Sequence, residues 1–336
     1  MEKVERQILD EIKKAKRVLL HLHLGPDGDS IGSVFGLWRW LEKIGKKVTV
    51  VSFDPIPEEF HFFEEVKRVK KGDVAKLDFS QFDLWLSLDC SDWSMISKKI
   101  DFRPPKDFRL INIDHHPTNA DFGKINYVFR GDPSTAGILF DLFQNWGVKI
   151  DKKIANRLFL GIYHDTGSFS FDYTKPRTFR QAAKLLELGA DLQMIRRNLN
   201  LNKSLKNLRY WSFVLANMRI NKKYQFSIAA VPNEEFSKRK IGIEDRSGVA
   251  SWFGNIVKDT NFGVILTEHE PGEVKGSLRS RTDFDVSQIA QAMGGGGHKA
   301  AAGFRVKGDL KKVERRLLAV IKELRINPKF EALSSK

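Results

Sequence analysis

Short apolar runs alternate with amphipathic stretches through the first 190 residues, and this alternation limits the chain to few folds. Val18–His23, Lys47–Phe53, Leu84–Leu88 and Leu110–Ile113 have the length and composition of buried strands. Ile31–Ile44, Ser134–Trp146, Lys152–Tyr163 and Thr174–Leu188 have helical spacing, with Ser134 placed as an N-cap and Gly189 as a stop. Such alternation predicts an α/β domain with a mainly parallel sheet, whose ligands bind beyond the carboxyl ends of the strands. Asp191–Lys206 reads as a helical linker. Beyond it, strands are expected at Gln225–Val231, Gly263–His269 and Glu273–Arg279. Helices are expected at Arg246–Val257, Val286–Met293 and Leu310–Leu324, and the last dozen residues should fray. The expected division is a catalytic domain over 1–190, a linker over 191–206 and a smaller α/β or α+β domain over 207–336, with a cleft between the domains.

Composition narrows the class further. Of the 336 residues, 41% are hydrophobic and 29% charged, an ordinary soluble mix with enough apolar material for a sizeable core in each half. No stretch approaches the roughly 20 apolar residues of a membrane helix. The N-terminal MEKVERQILDEIKKAK has acidic residues and no apolar core, so it reads as an amphipathic helix of a cytoplasmic protein. The single cysteine, Cys90, rules out an intrachain disulfide. The net charge is +15, and residues 201–336 carry 25 basic against 14 acidic side chains, a surplus of eleven. A basic second half beside a nearly neutral first half suggests an anionic partner held by the second half.

Acidic residues and histidines recur where the elements end. His23-Leu-Gly-Pro-Asp27-Gly-Asp29 brings three ligand-type side chains to one turn, with Pro26, Gly28 and Gly32 expected to let the backbone bend. Asp89 ends an apolar strand, where an unpaired carboxylate is costly to bury. Asp114-His115-His116 ends another, and Asp165 follows the apolar end of a helix. Each group alone could be a cap or a turn. Four together point to a divalent-cation site, since oxygen and imidazole donors suit Mn²⁺ or Mg²⁺, with Zn²⁺ as an alternative.

These motifs, His23 to Ser33, Leu88-Asp89-Cys-Ser-Asp92, Ile113-Asp114-His115-His116-Pro117 and Gly161-Ile-Tyr-His164-Asp165-Thr-Gly-Ser-Phe169, resemble the four motifs of the DHH phosphoesterase superfamily, in their usual order. Gly276-Ser-Leu-Arg279-Ser280 and Gly295-Gly296-Gly297-His298 with Ala302-Gly303 resemble the DHH-associated domain. The resemblance covers nearly the whole chain, and the length is similar to that of the NrnA-like oligoribonuclease and pAp phosphatase group. It implies two divalent metal ions, Mn²⁺ before Mg²⁺. His23 and Asp27 would hold one, Asp29, His115 and Asp165 the other, with Asp89 bridging. Asp114 would orient a ligand, and Asp89 and His116 would be the catalytic pair. His116, Ser134, Thr135, Arg279, Gly295, Gly296, Gly297 and His298 would contact substrate. Ser94-Met95 departs from the basic residue many relatives carry there, and the glycine run has four members rather than three.

The implied activity is hydrolysis of phosphate esters in short oligoribonucleotides, linear dinucleotides such as pApA or pGpG, or 3'-phosphoadenosine 5'-phosphate (pAp). Hydroxide held near Asp89 would attack phosphorus in line, with no covalent intermediate. Cys90, beside a ligand, is expected to pack rather than react. Cleavage of cyclic di-AMP, a pyrophosphatase-like activity, and a nucleotide-binding regulator without catalysis remain as alternatives. The intact ligand set speaks against the regulator. A homodimer stays open, because nothing in the sequence fixes an oligomeric state.

Overall fold

The computed structural model describes residues 2–99, 101–242, 246, 248–297 and 299–326, in two compact units that divide between Asn202 and Lys203. The first unit opens with α1 (Lys3–Lys14), which buries Ile8 and Ile12. There follow β1 (Arg17–His21), α2 (Gly28–Lys43), β2 (Lys47–Ser52), the two-residue β3 (Lys70–Lys71), β4 (Leu84–Leu88), β5 (Leu110–Asp114) and β6 (Ile125–Val128). Then come α3 (Thr135–Asn145), α4 (Lys152–Asp165), α5 (Pro176–Glu187) and α6 (Leu192–Arg196). The strands form one sheet in the order β3-β2-β1-β4-β5-β6, every pair parallel. The fully buried strands β4 and β5 read as continuous apolar runs because both faces are covered. The order reverses between β1 and β4, and a crevice forms at that switch point of a doubly wound sheet. His23 and Asp89 emerge on its two sides.

Strands β3 and β6 were not foreseen. The first is two exposed lysines, and the second is half-buried along its length, so neither carries an apolar run or an alternation. Between β2 and β4 the chain makes short 3₁₀ turns instead of a helix.

Helices α2 and α4 approach closely because glycines line their contact. A Cβ on Gly32 would lie 2.4 Å from the Arg157 carbonyl oxygen and 2.8 Å from the Gly161 nitrogen. A Cβ on Gly28 would meet the His164 ring at 2.4 Å, and one on Gly36 would touch Leu158 at 3.0 Å. Gly28, Gly32 and Gly36 thus form one stripe at i, i+4 spacing. This corrects the expectation that Gly28 and Gly32 bend the backbone. Both are helical, and the left-handed residue of that turn is Gly25, with φ +65°. A buried ion pair fixes the same contact. Glu65, fully buried, accepts from Arg157 Nε at 3.0 Å and Nη2 at 2.7 Å, and also pairs with Arg39.

The second unit holds α7 (Leu205–Ala216), β7 (Arg219–Asn221), β8 (Phe226–Val231), α8 (Glu234–Arg239), α9 (Val249–Phe253), β9 (Phe262–Glu270), β10 (Glu273–Ser280), α10 (Val286–Ala292), β11 (Gly296–Gly297), β12 (Ala301–Lys307) and α11 (Leu310–Ile326). Its sheet runs β11-β12-β10-β9-β8-β7, with β8 and β9 parallel and the other pairs antiparallel. Both units fit the expected mixed α/β class. The helix expected over Arg246–Val257 is confined to α9, bounded by Gly248 at φ +83° and by Gly254. The stretch read as a linker folds as α6, a π turn over Arg197–Leu201 and the start of α7. Residues 327–336, expected to fray, lie outside the described residues. Among the described residues no helix is long and apolar enough to cross a membrane.

Two substitutions test this packing by urea unfolding. Gly32→Ala should destabilise the protein by about 1–3 kcal/mol through overpacking against backbone. Glu65→Ala, which strands the buried Arg157 guanidinium, should cost about 3–5 kcal/mol.

Candidate active site

Each ligand-type residue is placed by a local device. His23 follows β1, and its Nδ1 lies 2.9 Å from the Leu24 carbonyl oxygen. That bond, with Nδ1 as the donor, leaves the Nε2 lone pair outward, 3.6 Å from Asp27 Oδ1 and 3.5 Å from Asp89 Oδ2. Asp27 is the N-cap of α2, accepting from the amides of Asp29 and Ser30 at 3.0 Å each. Asp29, fully buried, sits at the N-terminus of α3, where the Thr135 amide donates at 2.6 Å and the Ala136 amide at 3.0 Å. The positive end of that helix favours the carboxylate.

Asp89 is the hub. Its backbone turns left-handed at φ +58°, a costly conformation that an aspartate tolerates better than most residues. Its carboxylate lies within 3.4 Å of His115 Nε2, 3.5 Å of His23 Nε2 and 3.8 Å of His116 Nδ1, and it accepts from Thr135 Oγ1 at 3.2 Å. His115 Nε2 also lies 3.4 Å from Asp165 Oδ2. Potential ligand atoms cluster within 4.8 Å in overlapping sets: His23, Asp27 and Asp89; Asp29, His115 and Asp165; Asp27, His164 and Asp165; and Asp89, Asp114, His115 and His116.

The two adjacent histidines differ in support. His116 Nδ1 donates to Asp114 Oδ1 at 2.7 Å, and Asp114 Oδ2 accepts from Asn119 Nδ2 at 2.6 Å. Asp114, expected to orient a ligand, orients the His116 ring. Asn119 also reaches Asn112 Oδ1 and the Cys90 carbonyl, which ties this network to β5. Cys90 is fully buried among apolar side chains, and burial pushes its thiol pKa well up, in keeping with packing.

Electrostatics supply the fit test for a cation. Burial, then the charges of Asp89 and Asp165, push the Asp29 pKa well above the usual carboxylate range. Burial raises Asp165 as well. Burial also acts against the charged forms of Asp89, His23 and His115, yet their mutual pairing wins. Asp89 is held well below its ordinary value and both imidazoles well above theirs. Without a cation, protonated histidines offset the carboxylates. With one, neutral imidazoles and carboxylates would be its ligands, and the donor set of hard oxygens and imidazole nitrogens suits a divalent metal.

Other expected site residues sit apart from open space or in the second unit. Ser134 and Thr135 are fully buried. Ser134 Oγ caps α3 by accepting from the Gly137 amide at 3.1 Å, and Thr135 holds Asp29 and Asp89. Both hydroxyls thus position the helix start and the Asp89 carboxylate. Gly295 and Gly297 press onto β12, where a Cβ would lie 2.1 Å from the Gly303 carbonyl oxygen and 2.6 Å from Ala302 Cα; only Gly296 of the three faces open space. Arg279 lies on β10, and His298 lies outside the described residues. Sequence reading assigned no role to His164. Its Nδ1 is 3.2 Å from Asp165 Oδ1, and its ring rests where Gly28 lacks a side chain. Its place directly before Asp165 was the available signal.

Known proteins share this arrangement. Residues 17–162 match the DHH family, N-terminal domain, and residues 236–325 match the DHHA1 domain. The chain is 30% identical to the bifunctional oligoribonuclease and PAP phosphatase NrnA of Thermus thermophilus, over 94% of this chain and 93% of that one. It is 23% identical to the protein of the same name from Bacillus subtilis, over 89% and 92%. The crystal structure of an exopolyphosphatase-related protein from Bacteroides fragilis superposes with a TM-score of 0.87 at 26% identity, covering all of both chains. The chain belongs to the DHH family of phosphoesterases and carries a DHHA1 domain in its second half. It is accordingly a hydrolytic enzyme, of a family that depends on metal and with an Asp/His cluster that could hold it.

The site predicts a pH signature. Because the folded pKa values of His23 and His115 are raised, their contribution to stability is complete below the ordinary histidine value and lost as pH rises through the raised values. Thermal unfolding of metal-free protein should therefore show falling Tm as pH rises above about 6.5. Added Mn²⁺ should raise Tm, by a margin that grows with pH because the ligands bind deprotonated.

Proposed function

We propose that this protein hydrolyses phosphate esters of short oligoribonucleotides, linear dinucleotides such as pApA and pGpG, and pAp, using two divalent ions, Mn²⁺ by preference. One observation carries the reading: side chains of the four motifs meet around Asp89 and His115, with His23, Asp27 and Asp89 in one cluster of potential donors, Asp29, His115 and Asp165 in another, and His115 Nε2 beside the Asp89 carboxylate. His23 and Asp27 would hold one ion and Asp29, His115 and Asp165 the other, with Asp89 placed to serve both. Bound there, the ions acidify water and neutralise phosphate charge.

The chain's own residues do the rest. Asp89 fixes the position of the nucleophilic water. His116, its Nδ1 bonded to Asp114, presents Nε2 to a phosphate oxygen or to the leaving oxygen. Thr135 and the N-terminus of α3 hold Asp29 and Asp89 in register. Residues 1–190 carry the chemistry and 207–336 grip the substrate, through Arg279 and the backbone of Gly296 and Gly297, with His298 as a further donor; the Gly295 amide donates to the Ala290 carbonyl at 2.7 Å and shapes the turn instead. The basic surplus of the second half suits an anionic substrate. The names of the full-length relatives from Thermus thermophilus and Bacillus subtilis favour oligoribonucleotides and pAp over cyclic di-AMP or pyrophosphate.

A substrate panel with Mn²⁺ tests this reading: pAp, dinucleotides, a 5-mer, a 24-mer and cyclic di-AMP. Mononucleotide release from the 2–5-mers and phosphate release from pAp are expected, with the 24-mer a poor substrate. Absence of both products would overturn the proposal. His116→Ala should lower kcat by about 10²–10⁴-fold while metal affinity persists.

A further inference from the structure

Trp252 is a large apolar side chain that the chemistry above does not use. It lies on α9 and is 42% exposed, with Ile256 of the following turn 58% exposed. A single exposed tryptophan is ordinary. What distinguishes this one is how firmly its backbone is tied to the strand carrying Arg279.

Two contacts make that tie, and a third holds the same turn against the neighbouring strand β9. A Cβ on Gly263 of β9 would lie 1.6 Å from the Gly254 carbonyl oxygen, so the turn after α9 is pressed onto the sheet at a place only glycine permits. The Arg279 side chain packs over Gly254, its Cγ 3.1 Å from where a Cβ would stand. Asn255 Nδ2 donates to the Ser280 carbonyl at 3.1 Å. Behind Trp252 lies Trp211, 8% exposed, with ring centroids 6.3 Å apart and planes at 40°. Trp211 is in turn braced by Phe253 in a T-shaped contact at 5.4 Å. The indole is thus backed by a second aromatic and held two residues from the glycine beneath Arg279.

We infer that Trp252 is the stacking platform for a nucleobase whose phosphate reaches Arg279. An indole face binds any base through its π surface, and a neighbouring guanidinium binds phosphate. The inference rests on the proposed function and deepens it, because such a pair selects nucleotides over base-free phosphates. A polyphosphate would use Arg279 and leave the indole face idle.

Calorimetry on the full-length protein tests this with two probes, AMP and ribose 5-phosphate. Trp252→Ala should weaken AMP binding roughly tenfold or more, in line with about 1–3 kcal/mol per stacked base. Trp252→Phe should restore most of the affinity. Trp252→Leu keeps an apolar contact with Trp211 but offers no stacking face, so it should behave like the alanine variant while unfolding at the native temperature. Ribose 5-phosphate should bind all four proteins alike. AMP affinity unchanged in the alanine and leucine variants, or equal losses for both probes, would overturn the inference. Turnover of pApA by native protein is measured alongside. Its absence defeats the proposed function, whereas normal turnover with unaltered AMP binding defeats only the role of Trp252.

Discussion

The close crossing of α2 and α4 is the constraint on which the site depends. Asp27 and Asp29 open one helix and Asp165 closes the other, so the carboxylates meet only if the helix backbones nearly touch. Gly161 is pinned on two sides: a Cβ there would lie 2.5 Å from Asp29 Oδ1 and 2.5 Å from the Ala136 side chain. One residue without a side chain therefore lets α2, α3 and α4 share a corner. The Glu65 pairs with Arg157 and Arg39 hold the same contact further along. Packing and chemistry are coupled here, since a methyl group added to relieve flexibility would displace a ligand.

That corner concentrates negative charge. Asp29 and Asp89 are almost wholly buried beside Asp165, an arrangement that costs several kcal/mol unless opposite charge is near. Imidazoles and the N-terminus of α3 provide part of the compensation, and a bound metal ion would provide more. The left-handed turn at Asp89 belongs to the same economy of form. It aims one carboxylate at His23 and His115 together from the carboxyl end of β4, at the point where the strand order reverses.

Much of this was legible in the sequence, because the signals were local. Buried parallel strands appear as apolar runs, so β1, β2, β4 and β5 could be read directly, and the acidic and histidine residues at their ends marked the crevice. What failed to appear was set by tertiary context. Edge strands β3 and β6 have no apolar pattern. Gly28 and Gly32 look like turn residues until α4 is laid against them. Asp114 could have served either histidine, and only the geometry of β5 and the following turn directs it to His116. Thr135 reads as a polar helix start, yet its amide and hydroxyl hold two carboxylates. Trp252 carries no motif at all, and its interest arises from the strand that Gly254 touches.

The account stands or falls on a shared metal centre at Asp89. The most direct measurement is a Mn²⁺ titration of the full-length protein followed by electron paramagnetic resonance, with Asp89→Asn as comparison, since asparagine tolerates the left-handed turn. The account predicts two ions bound per native chain with a spin-coupled spectrum, and loss of that coupling in the variant. A single uncoupled ion in the native protein, or an unchanged coupled spectrum in Asp89→Asn, would contradict it.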